Sequence, residues 1–272
     1  MKRCAFCDCE AKLTAEHLQS DWINRLLEER THHYVISQKE GPDTEWNKWK
    51  SSTLNLKAKV ACAECNNGWM SDLENDEARP LLKDLILHSA PVSFLPKGVA
   101  SLAAFAMKNG FIADYISPSP HQFFDVSTRK TFVRTLRPPA GVHMWFGALR
   151  HPKGRRHGIY KTRYGKPRVT TEDSVESFVF TCSIESLLLQ VACVRWAHAS
   201  RRRALHSSLN QEARLDDLFV PFWPPNVTIV TWPPPQYILS DDVDSVANRF
   251  TDVTITYYIP KPEGDGFVPP KF

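Results

Sequence analysis

The sequence predicts an α+β protein: an N-terminal module over 1–90 held by paired cysteines, then a helix, then a β-rich C-terminal domain, the last two within 91–272. Three observations predict it. Cys4-x-x-Cys7 and Cys62-x-x-Cys65 bracket the first module. Apolar residues recur at helical spacing through much of the first 115 positions. Beyond Pro118 the pattern changes to short apolar runs between turns, and fifteen of the twenty prolines lie there, as a turn-rich β domain requires.

The elements follow in order. Leu18, Trp22, Ile23, Leu26 and Leu27 mark a short amphipathic helix. Thr31 to Ser52 is polar, holds Gly41 and Pro42, and reads as an insertion or long loop. Leu54, Leu56, Ala58 and Val60 alternate with polar residues as a strand does. A helix follows from about Cys65 to Glu77, a second after Pro80, and a third from Pro96 to about Tyr115. Strands are expected at Lys130 to Leu136, Val142 to Leu149, Ser177 to Cys182, Leu187 to Val194, Val227 to Trp232 and Val253 to Ile259. "FWPPN" and "TWPPP" read as punctuation at strand ends.

Composition excludes several classes. A hydrophobic fraction of 42% over 272 residues supports a buried core and argues against disorder. The longest apolar run, Val99 to Met107 with Ser101 inside it, is too short to span a bilayer, so no membrane partner is expected. Seven cysteines without a secretory signal point to a reducing cytoplasm and to thiols free for metal.

Two residues between thiols make a tight turn whose amides support the sulfurs, and two such turns supply the tetrahedral four-cysteine site that zinc prefers. Cys4, Cys7, Cys62 and Cys65 are therefore expected to hold a structural Zn²⁺ across 54 intervening residues. Cys9 extends the first knuckle and can substitute for Cys7, whereas Cys182 and Cys193 read as small buried residues.

Between the knuckles stands "LTAEHLQSDW", and the second knuckle continues "CNNGW". A C-x2-C, a Glu-His pair, a strand and a C-x2-C-Asn in that order resemble the HNH endonucleases, the ββα-metal nucleases, in their four-cysteine zinc subset. The resemblance covers residues 4 to 80. It implies a metal-dependent endonuclease hydrolysing phosphodiester bonds, with double-stranded DNA as partner. His17 would be the general base, while Glu16 and Asn66 would hold a catalytic Mg²⁺ or Mn²⁺ through hard oxygen ligands. Asn55 best matches the family's middle Asn but lies farther from Cys62 than usual, and Trp69 stands where many members carry Lys. Trp69 and Met70 read as core, Asn67 as a helix-start polar residue, and Glu74 as an exposed helix carboxylate.

Arg150 to Arg168 holds eight Lys or Arg and no acidic residue, so Arg155, Arg156, Lys161 and Arg163 are the candidate nucleic-acid contacts. Arg201, Arg202 and Arg203 form a second cluster. The competing reading is a non-catalytic zinc module that binds nucleic acid or protein, and a protein partner or homodimer fits either.

Overall fold

The computed structural model describes residues 2–18, 20–27, 34–38, 47–51, 57–87, 91–116, 122–150, 160–165, 168–169, 175–196, 218–225, 229–239, 246 and 254–255. The fold is mixed α+β, as the sequence predicts. In chain order the first part comprises β1 (Lys2–Arg3), β2 (Glu10–Ala11), β3 (Leu13–His17), α1 (Asp21–Leu27), β4 (Tyr34–Gln38), β5 (Asn47–Ser51) and β6 (Lys57–Cys62). A helical run then extends through α2 (Ala63–Cys65) and two wider turns, Asn66–Met70 and Leu73–Ala78, into α3 (Arg79–Leu87). β3 pairs antiparallel with β6, from Leu13 opposite Cys62 to His17 opposite Lys57, with an irregularity between Thr14 and Ala15.

Three expectations change here, and one falls partly outside the described residues. The polar insertion contains an antiparallel ladder of β4 with β5. The described part of the strand expected from Leu54 begins at Lys57, and Asn55 lies outside the described residues. Pro80 does not separate two helices: it is the second residue of α3, which continues directly from the wide turn Leu73–Ala78, where the Arg79 amide donates to the Glu74 carbonyl. Lys130 to Leu136 is helical rather than extended.

The second part comprises β7 (Val92–Phe94), α4 (Pro96–Ile116), α5 (Val126–Thr135), β8 (Val142–Arg150), β9 (Tyr160–Gly165), β10 (Arg168–Val169), β11 (Val175–Ile184), β12 (Leu187–Trp196), β13 (Phe219–Trp223), β14 (Val230–Trp232), β15 (Tyr237–Leu239) and β16 (Thr254–Ile255). α5 replaces the expected strand because its ends are capped. The Asp125 carboxylate accepts from the Thr128 amide at 2.6 Å, and Leu136 turns left-handed with φ 49° to close the last turn.

The main sheet runs β13-β8-β12-β11-β9, with β15 added parallel to β8. β8 can accept both β13 and β15 because Gly147 carries no side chain: a Cβ there would lie 2.6 Å from Ile238 Cδ1. α4 covers this sheet, with Gly110 facing Phe178 and Val191. One apolar core joins the knuckle to the sheet. Phe6 meets Trp69 edge-on at 5.4 Å, Trp69 meets Phe132 at 5.8 Å, and Phe111 links Phe132 to Phe124. Met70, Cys182 and Cys193 are thus core residues, and Trp69, partly buried, packs against that core. None of the described helices is long and apolar enough to cross a membrane.

Candidate metal centre and catalytic ladder

The first knuckle is a closed turn. Asp8, with φ 65°, donates its amide to the Cys4 carbonyl at 3.0 Å, and the Cys4 amide donates to the Cys9 carbonyl at 2.9 Å. Asp and Asn tolerate that left-handed backbone better than most residues, and Arg3 grips the Asp8 carboxylate with two bonds of 2.6 and 2.9 Å. The second knuckle ends β6 and opens the helical run, where the Cys65 amide donates to Cys62 Sγ at 3.5 Å. Strand and turn are joined directly, since the Ala5 amide donates to the Val60 carbonyl at 2.8 Å and the Cys62 amide to Cys4 Sγ at 3.3 Å.

The sulfurs of Cys4, Cys7, Cys62 and Cys65 all lie within 4.8 Å of one another, close enough to bind a metal ion. Three of these cysteines are buried and Cys7 is partly so. Their electrostatics fit a cation: four adjacent thiols cannot all ionise without one. A hydrogen bond from Cys65 pulls Cys4 down to about 4, and the same bond pushes Cys65 up. Burial pushes Cys7 up to about 12. Cys9 is exposed, with its sulfur 3.1 Å from that of Cys7.

Beyond the knuckle, the β3–β6 ladder separates Glu16 from His17. Adjacent strand residues point to opposite faces. Glu16 is buried at 4% exposure, whereas His17 is partly exposed beside Ala15, with exposed Lys57 and Lys59 directly across. Burial first and then Lys57 hold His17 below its ordinary value of 6.5, against the opposing pull of Asp21, Glu16 and Glu74. The imidazole is therefore neutral near pH 7. Its Nε2 is turned inward without a hydrogen-bond partner.

On the buried face, Glu16 Oε1 accepts from Lys108 Nζ at 3.0 Å, and Glu74 accepts from the same ammonium. Asn66 is spent differently: its amide nitrogen donates to Thr14 Oγ1 at 3.0 Å, and that hydroxyl donates to the Ala61 carbonyl at 3.0 Å. One Glu16 oxygen is held by Lys108 and the Asn66 amide nitrogen by Thr14, and among the described residues the four cysteines are the cluster of His, Cys, Asp and Glu side chains close enough to hold a metal ion. Glu74, expected on the surface, belongs to the buried bridge. Arg155 and Arg156 lie outside the described residues, and so do the side chains of Lys161 and Arg163, whose backbone forms β9.

Sequence reasoning missed Lys108 and Arg129. Lys108 is fully buried on a helix that is apolar nearly all round, and a buried charge must have a partner. That was the available signal, though it named no partner. Arg129, also buried, donates from Nε to the Ala5 carbonyl at 2.6 Å and so ties α5 to the first knuckle. No known protein family, no curated protein and no solved structure matches this chain.

Proposed function

We propose that this chain is a zinc-stapled nuclease of the ββα type, hydrolysing phosphodiester bonds of nucleic acid, with double-stranded DNA as substrate and His17 as general base. One observation carries the reading: His17 is a neutral, partly exposed histidine on a two-stranded ladder whose next element is a helix tied back by four thiols. Zinc is the ion that best suits four clustered cysteine sulfurs. In the folded chain it would fix the first knuckle against the start of the helical run and so hold β3 in register with β6.

The chain's own groups would then divide the work. Neutral His17 accepts a proton from the attacking water, which a protonated imidazole cannot do. Lys57 and Lys59, across the ladder, present positive charge to an approaching phosphate. Asn66 and Thr14 join the helix start to the strand that carries His17.

A second reading is favoured by a specific observation, the engagement of Glu16 by Lys108 and of Asn66 by Thr14. A module with its polar groups so occupied binds nucleic acid or protein without cutting. The discriminating experiment incubates zinc-loaded protein with supercoiled plasmid and with single-stranded DNA and RNA, in Mg²⁺, Mn²⁺ or EDTA. Strand breaks bearing 5′-phosphate and 3′-hydroxyl ends support the nuclease. Intact substrate under every condition, with binding retained, supports the second reading.

A further inference from the structure

We infer that Lys108 is a resident cation, occupying the cleft between the β3–β6 ladder and the helical run in place of a divalent ion, and that Glu16 and Glu74 are positioning residues for the strand carrying His17. Three elements converge on one nitrogen. Glu16 comes from β3, Glu74 from the wide turn Leu73–Ala78, and Lys108 from α4. The same two helical segments meet again nearby, where Ser101 Oγ donates to Glu77 Oε2 at 2.7 Å. Carboxylates at 74 and 77 are thus read by donors at 108 and 101 of α4.

The ammonium has nowhere else to go. Its side chain is 0% exposed, the Phe105 ring lies 5.6 Å from Nζ, and its neighbours Met107 and Asn109 are themselves buried. A long lysine can usually withdraw to solvent; this one cannot. Burial alone would depress its ionisation, but Glu74 and Glu16 outweigh burial and hold Lys108 above the ordinary lysine range. The site therefore keeps its own positive charge, and a divalent ion would have to expel it from a closed interior. Such an ion also demands several oxygens at close range, and one oxygen of each carboxylate here is held by the lysine. This inference holds whether or not His17 hydrolyses anything, since it concerns what the cleft binds.

The test is Mn²⁺ titration of zinc-loaded protein, followed by electron paramagnetic resonance of the free ion. Wild-type chain and Glu16→Gln should bind Mn²⁺ equally weakly, within about twofold, because Glu16 is not a ligand. Lys108→Ala should gain about tenfold or more in affinity, as two carboxylates lose their cation, while Lys108→Arg should not. A merely structural lysine would leave Mn²⁺ affinity unmoved. If Lys108→Ala does not fold, the wild-type and Glu16→Gln pair still decides. One Mn²⁺ bound by wild type and lost in Glu16→Gln overturns the inference, as does a folded Lys108→Ala protein with no gain.

Discussion

Removing the metal clamp, by Cys65→Ser or by exhaustive chelation, should destabilise the whole chain rather than its first residues alone. The magnitude follows from the loop that the clamp closes. Cys7 and Cys62, whose sulfurs are 3.6 Å apart, are separated by 55 positions. Closing a loop of that length removes about 14 cal/mol/K of unfolded-chain entropy, or about 4 kcal/mol at 25 °C. That is a large share of the roughly 5–15 kcal/mol by which domains are stable. Contacts that survive metal loss, the Ala5–Val60 backbone bond and the Arg129–Ala5 bond, limit the loss to about this value. The effect should spread because Phe6, between the two knuckle cysteines, packs on Trp69 and Phe111 of the common core. Thermal unfolding followed by circular dichroism, with zinc measured on the same samples, should show a melting temperature lower by about 8–16 °C. A Cys65→Ser protein without zinc that melts with wild type would refute the clamp.

Two further perturbations have signed outcomes. Asp125→Ala removes the cap of α5 and should cost about 1 kcal/mol at neutral pH by urea denaturation. Because the Thr128 amide holds the Asp125 carboxyl below its ordinary value of 3.8, the cap's contribution is present above that value and fades as pH falls through the lowered one; a difference that persists undiminished in strong acid would contradict this. Burial and Lys57 likewise hold His17 below 6.5, so nuclease activity should persist below pH 6.5 before the base protonates. Lys57→Met should move that acid limb upward, and a downward shift would show that Lys57 is not the charge His17 feels.

The four-thiol site was legible because C-x2-C encodes a local turn, and two such turns have few other uses. The end of β6, α4 and, in the main sheet, β8, β11 and β12 were legible from periodicity, whereas β9, β13 and β15 were not read as strands. α5 was not legible: "KTFVRTL" is rich in residues that favour strands, and only the Asp125 cap and the left-handed Leu136 reveal the helix. The partner of Glu16 was illegible for a different reason. The Glu-His pair is local in sequence, but the partner that takes Glu16 lies 92 positions away on α4. Strand alternation alone would have placed Glu16 and His17 on opposite faces; identifying Lys108 required the packing of α4 against the ladder.

The most direct measurement compares plasmid cleavage by wild-type and His17→Ala proteins matched for zinc content and melting temperature. His17→Ala should retain substrate binding and lose about 10²–10⁴-fold in cleavage rate, the usual contribution of a positioned base. Cleavage by His17→Ala at the wild-type rate, or none by either protein, would contradict His17 as the base of a nuclease.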